Sequence, residues 1–302
     1  MGRRIGFLSP FARADIEDFL GLLRPELERL GWADGRNIVL LEPRTTEGAT
    51  DRLPAVAAEL VAQAPDLILV QSVPASRALM QATKAIPIVM AGVGNPVEYG
   101  IVASYRKPGG NVTGSSFLAN EYTSKLLQLL KEAVPRIQSV AFLSNPSNET
   151  AAAFVRQLQA DALAYGIQLQ VVDVSGKGDF EAAFVAIRHA NTQSILLPPE
   201  ALIQANREVV AAFAQAHGLP LAVVGGSRAL PASGLIAYGP TRGEYQRLAA
   251  RHVDQILKGA KPGDLPVEQP TRFHLVINLK TAKALGLTIP QTLLQRADEV
   301  IQ

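Results

Sequence analysis

The chain contains no cysteine, which removes disulfides, thiol catalysis and any cysteine-ligated metal from its chemistry. It also lacks an excess of charge of either sign. Its 29 basic and 27 acidic residues leave a formal net charge of +2, too even for a surface that grips nucleic acid or acidic lipid. Although 48% of the residues are hydrophobic, no apolar run approaches the roughly 18 residues that span a bilayer. Catalytic signatures are missing as well. His189, His217, His252 and His274 show no metal-ligand spacing. G-G-S-R-A at Gly225–Ala229 departs from the G-x-S-x-G nucleophile elbow at its last position, and G-V-G-N-P-V at Gly92–Val97 lacks the third glycine of a dinucleotide fingerprint. No base is matched to a nucleophile, so the residues predict neither an enzyme nor a bound cofactor or metal.

What is present is an alternation of strands and helices over 302 residues, enough for two domains with cores of their own. The organising stretch is D-L-I-L-V-Q-S-V-P-A-S at Asp66–Ser76. Leu67–Val70 is a continuous apolar run, as in a parallel strand covered on both faces. Ser72 stands where an N-cap belongs, and Pro74 falls in the first helical turn, where its missing N–H costs nothing. The helix that follows directs its first N–H groups and positive dipole end past the strand, which suits an anion. No lysine and no G-x-x-x-x-G-K-[ST] accompany it, which favours a carboxylate over a nucleotide triphosphate.

Further strands are predicted at Arg4–Ser9, Ile38–Leu41 and Ile86–Ala91, and helices at Asp15–Leu30, Asp51–Ala64 and Tyr245–Leu257. From Gln138 the order begins again. I-G-F-L-S-P at Ile5–Pro10 is echoed by V-A-F-L-S-N-P at Val140–Pro146, Leu67–Val70 by Ile195–Leu197, and I-P-I-V at Ile86–Val89 by L-P-L-A at Leu219–Ala222. Two copies predict an α/β protein of two similar, doubly wound parallel-sheet lobes, joined by a multi-strand hinge. The expected division is 1–116 plus 241–267 against 117–240 plus 268–302. Crossings are expected at Asn111–Phe117 and Gly234–Pro240, and a last helix at Pro290–Ile301. Ligands of open parallel sheets sit beyond the carboxyl ends of the strands, so the loops at those ends are the expected lining of a cleft.

R-R-I-G-F-L-S at Arg3–Ser9, R-L-P-A-V-A-A-E-L-V at Arg52–Val61, I-P-I-V-M-A-G-V-G-N-P-V at Ile86–Val97, K-P-G-G-N-V-T-G at Lys107–Gly114 and the block from Ile256 to Pro290 carry a likeness. They resemble the ABC-transporter substrate-binding proteins of the tryptophan/tyrosine type, which have the type I periplasmic-binding-protein fold. The resemblance covers nearly the whole chain and is most specific in the last block. It implies an extracytoplasmic receptor, periplasmic or lipid-anchored, that captures a small molecule and hands it to a membrane permease. The N-terminus, M-G-R-R-I-G-F-L, has no signal-peptide h-region, so for a secreted protein the expectation is a removed signal peptide and an added Met1-Gly2. The family commonly carries Asp where Asn95 stands. An acid able to hold an ammonium is absent there, which leaves a carboxylate without an amine in play.

The candidate ligand residues follow from these loops. Ser72, Pro74 and the N–H groups of Ala75 and Ser76 are candidates for a carboxylate, as is Arg228 beside Ser227 through a bidentate pair. Asn95, Ser9, Asn145 and Glu200 are polar loop positions; Glu200 would repel an anion, so it faces solvent or meets an amine or hydroxyl. Phe11, Phe117 and Tyr238 are candidates to stack on an aromatic ligand. Each has a plainer counterpart: an N-cap, a turn, a surface arginine, a core ring. The expected partners are a small carboxylate-bearing molecule and an ABC permease, with no nucleic acid, and the chain is expected to be a monomer. A ligand-sensing domain of the same fold in signalling or regulation is the competing reading; it needs a DNA-binding segment or membrane helix, and none is seen in this sequence.

Overall fold

A computed structural model describes residues 2–117 and 119–302 of the chain. It divides into two compact units, Met1–Leu118 with Arg242–Thr271 and Ala119–Thr241 with Arg272–Gln302. In chain order come β1 (Arg3–Ser9), α1 (Arg13–Arg29), β2 (Ile38–Leu40), β3 (Arg44–Thr45), α2 (Leu53–Ala62), β4 (Leu67–Val70), α3 (Val73–Ala82), β5 (Ile88–Gly94) and β6 (Val112–Phe117). Next are α4 (Ala119–Ala133), β7 (Ser139–Ser144), α5 (Ala151–Ala164), β8 (Gln168–Asp173), α6 (Phe180–His189), β9 (Ile195–Leu197), α7 (Ala201–Ala205), α8 (Arg207–Ala216), β10 (Leu221–Val224) and β11 (Ile236–Pro240). The chain ends with α9 (Glu244–Leu257), β12 (Phe273–Asn278), α10 (Leu279–Ala284), α11 (Gln291–Leu294) and β13 (Glu299–Ile301). No helix among the described residues is long and apolar enough to cross a membrane.

The sheet of the first unit has the order β2-β1-β4-β5-β6, all parallel, with β3 beside the end of β1. The sheet of the second unit, β13-β12-β11-β10-β9-β7-β8, repeats that order from β8 to β11 and adds β12, antiparallel to β11, and β13. The sequence repeat is therefore a repeat of topology. Successive residues of a strand point to opposite faces, so each buried run feeds two cores. Leu8, Ile68, Val70 and Met90 pack with Leu53, Leu60 and Leu79 of α2 and α3. Phe7, Leu67, Leu69 and Val89 pack with Phe19 and Leu23 of α1 and with Val253 of α9. In the second unit Leu143, Leu197 and Val223 pack with Phe184 of α6 and Val210 of α8.

Three expectations are corrected. Asn111–Phe117 and Gly234–Pro240 are not crossings: Val112–Phe117 is β6 and Ile236–Pro240 is β11, and the chain changes units after them, with a further change after Thr271. Residues 268–271 go with the first unit because a strap beside β6 reaches Glu268. Glu268 N–H donates to Gly114 O (2.9 Å), Ser116 N–H to Glu268 O (2.8 Å) and Val267 N–H to Tyr105 O (2.7 Å). The strap satisfies a sheet edge that would otherwise present unpaired backbone groups. Finally, the helix expected to fill Pro290–Ile301 is a single turn, and Glu299–Ile301 pairs in parallel with β12. The β-branched Val300 and Ile301 extend the sheet instead.

Two of the most distinctive motifs meet beside that strap. Gly109 N–H donates to Gly263 O (3.1 Å), and a side chain at 263 would stand 2.9 Å from Gly110 O. His252 of α9 joins the same region. It is 1% exposed, with Nδ1 2.9 Å from Leu248 O and Nε2 3.1 Å from Pro266 O. Burial pushes its pKa below the ordinary histidine value. An unfolded histidine takes up a proton near pH 6.5, before the folded one does, so this contribution is complete above that pH and is lost as pH falls toward the depressed folded value. Thermal melts should show the protein losing stability below about pH 6.5 more steeply than His252→Gln; parallel pH profiles would refute the assignment.

Candidate functional site

Backbone strain marks one edge of the first unit. The described non-glycine residues with positive φ are Glu47, Ala64, Ser72, Asn95 and Asn191. Ala64 and Asn191 follow α2 and α6, where a left-handed residue ordinarily ends a helix. Glu47, Ser72 and Asn95 instead follow β3, β4 and β5, at the carboxyl edge of the sheet. Ser72, at φ 75° and ψ 153°, lies in a region populated almost only by glycine, at a cost of about 1–3 kcal/mol.

The same edge carries a chain of polar contacts. Ser72 Oγ accepts from Ala75 N–H (3.3 Å), capping α3. Ser76 is fully buried and both its N–H (3.2 Å) and its hydroxyl (2.8 Å) donate to Ser72 O. Those bonds close the first helical turn, so the Ala75 N–H and both Ser76 donors are taken up within it. Pro74, half-buried in that turn, gives up no bond by lacking an N–H. Ser9 Oγ donates to Gln71 Oε1 (2.8 Å) and accepts from Phe11 N–H (3.2 Å). Thr45 Oγ1 donates to Phe11 O, and Gly48 N–H to Pro10 O (2.7 Å). Asn95 N–H donates to Phe117 O (3.2 Å), and the Phe117 ring meets Tyr245 edge-on, 6.2 Å between centres. Ser9, Phe11, Gln71 and the 45–48 turn are thus one network, and Asn95 and Phe117 another, on the same sheet edge. Thr46 and Ser116, which no motif marks, are 3% and 0% exposed, and their hydroxyls have no hydrogen-bond partner among the described residues. Only their positions just past β3 and near the end of β6 could have signalled them.

In the second unit the structure brings Asn145 and Glu200 together. Asn145 Nδ2 donates to Glu200 Oε1 (3.1 Å), while Glu200 Oε2 accepts from Ile203 N–H (3.1 Å) and caps α7. Burial pushes the Glu200 carboxyl above its ordinary pKa, and these hydrogen bonds oppose the shift. The half-buried carboxylate is thus held by Asn145 and by the first turn of α7. Tyr238 stacks on Phe273 at 6.0 Å, with Tyr122 edge-on to both rings. Burial, with the charge of Asp298, raises the Tyr238 phenol's pKa. Arg228 is exposed in the turn after β10; the side chain of Ser227 lies outside the described residues. No group of three or more acidic or histidine side chains among the described residues is arranged to hold a metal.

A family model described as "ABC transporter substrate binding protein" matches residues 21–301. The chain is 28% identical over 266 residues to a tyrosine-binding protein of Clostridioides difficile, covering 86% of this chain and 74% of that one. Among solved structures it is similar to an ABC domain from Streptococcus pneumonia in complex with L-Trp, with TM-score 0.89, 25% identity and full coverage of both chains. It is also similar to a conserved domain protein from Vibrio cholerae, with TM-score 0.91, 26% identity, and 99% of this chain and 100% of that chain covered.

Proposed function

This chain belongs to the ABC transporter substrate-binding protein family, and on that premise we propose that it captures a small carboxylate-bearing solute outside the cytoplasm and delivers it, as a monomer and without catalysis, to the permease of an importer. One relative is named for tyrosine and one similar structure holds L-Trp, so aromatic amino acids are the first solutes to test. The observation that carries the reading is the backbone of Ser72. A serine kept in a glycine-only conformation at the head of α3 is strain of the kind that persists where a ligand is clamped. While its oxygen accepts from Ala75 N–H, its hydroxyl hydrogen is able to donate to a carboxylate, a charge-assisted bond.

A thermal-shift panel tests this. Ligand stabilisation grows with concentration and reaches about 2.7 kcal/mol at a hundredfold excess over Kd. L-tryptophan, L-tyrosine or an aromatic acid should raise the melting temperature in that manner, and sugars and nucleosides should leave it unchanged. A shift with a sugar and none with any carboxylate would end the carboxylate reading.

A further inference from the structure

We infer that the edge formed by Asn95 and Ser116 in the first unit is a subsite for a ligand hydrogen-bond donor, the ammonium group of an α-amino acid; the inference rests on the function proposed above. Asn95 Nδ2 donates to Glu98 Oε2 at 2.9 Å. A carboxylate only accepts, so this bond settles which end of the amide faces Glu98 and turns Oδ1 the other way. Oδ1 is buried and makes no hydrogen bond to any described residue. An amide oxygen has lone pairs and no proton, so it repels a carboxylate and takes an N–H or O–H.

Ser116 repeats the pattern on the adjoining strand. It pairs with Val93, and Phe117 pairs with Gly94, the residue before Asn95. The Ser116 side chain is fully buried, and its Oγ has no partner among the described residues. Its neighbour Ser115, by contrast, accepts from Gly92 N–H (3.0 Å) and donates to Met90 O (3.3 Å). Folds leave few buried polar atoms unbonded because each one forfeits its hydration. Two at the end of one strand pair, one of them on a residue itself held at φ 39°, mark a place where a polar guest supplies the missing bonds. Asn95 thereby restores a role for an amine that the lack of an acid at this position argued against.

Isothermal titration tests the pairing of residue and ligand group. L-tryptophan is compared with 3-(indol-3-yl)propanoate, and L-tyrosine with 3-(4-hydroxyphenyl)propanoate, each pair differing only in the amine. The protein should bind an amino acid at least about tenfold tighter than its des-amino partner, the scale of one hydrogen bond to a charged group. In Asn95→Gly, where glycine tolerates the positive φ, that ratio should fall to within about threefold, the level at which no such bond distinguishes the pair. Ser116→Ala should weaken amino-acid binding while the unliganded melting temperature holds or rises, because an unbonded buried hydroxyl has been removed. An unchanged ratio in Asn95→Gly overturns the inference, and so does equal binding of both partners by the parent protein. Binding of the des-amino acids alone fails only this inference, whereas binding of none of the four compounds overturns it together with the choice of aromatic acids as the solutes.

Discussion

Gly114→Ala should lower the melting temperature of the first unit by roughly 10 °C, at about 3 °C per kcal/mol for a unit of this size. A Cβ at 114 would lie 2.3 Å from Met90 O and 2.4 Å from Met90 N, and φ there is +128°. Both atoms belong to the backbone of β5, which the pairing of β5 with β6 holds in register, so no flexible side chain can move aside. Overpacking costs about 1–3 kcal/mol and a side chain at this φ about 1–3 kcal/mol more, together about 4 kcal/mol, the far end of what one substitution does. Gly110→Ala is the control: nothing lies within 4 Å of its Cβ position, and its effect should stay within about 0.5 kcal/mol. If circular-dichroism melts of the two variants coincide, the close approach of β5 and β6 is wrong.

The second large effect separates stability from binding at Ser72. Ser72→Ala keeps the strained backbone and loses the oxygen that accepts from Ala75 N–H, so it should be about 1 kcal/mol less stable. Ser72→Gly relieves strain of about 1–3 kcal/mol while loss of the cap to glycine costs only a few tenths, roughly; it should be the more stable protein. Both lack the hydroxyl, and both should bind the carboxylate solute about tenfold more weakly, the loss of one charge-assisted hydrogen bond. A Ser72→Gly protein that is more stable and binds as tightly as its parent would leave the strain at Ser72 without a ligand role.

Much of the fold was legible in the chain. The unalternating apolar run Leu67–Val70 is a four-residue strand buried throughout, and Ser72 and Pro74 stand where capping chemistry puts them at the head of α3. Local rules suffice there, because strand period, cap preference and proline geometry act within a few residues. The sequence echo of Ile5–Ser9 in Val140–Ser144 likewise becomes β1 and β7, which hold the same place in their sheets. The polar loop residues were less legible in detail. Ser76 looked open at a helix end, but its donors are taken up by Ser72 O, and Glu200 looked like a loop tip, but it is held by Asn145. Such bonds depend on side-chain direction, which residue spacing does not encode.

Composition and pattern by themselves determined the class of the protein: an α/β chain in two repeated halves, with no thiol chemistry and with strand ends running into helix heads. Only the tertiary structure decided that α9 covers a face of the first sheet, that the strap ending at Glu268 closes the β6 edge, and that Gly114 lies against the backbone of Met90. It likewise decided which polar atoms at the carboxyl edge, Asn95 Oδ1 and Ser116 Oγ, are left unbonded. The reason is range. Periodicity and capping are settled among neighbours in sequence, whereas edge pairing, burial and hydrogen-bond satisfaction are settled among residues that only the folded chain brings into contact.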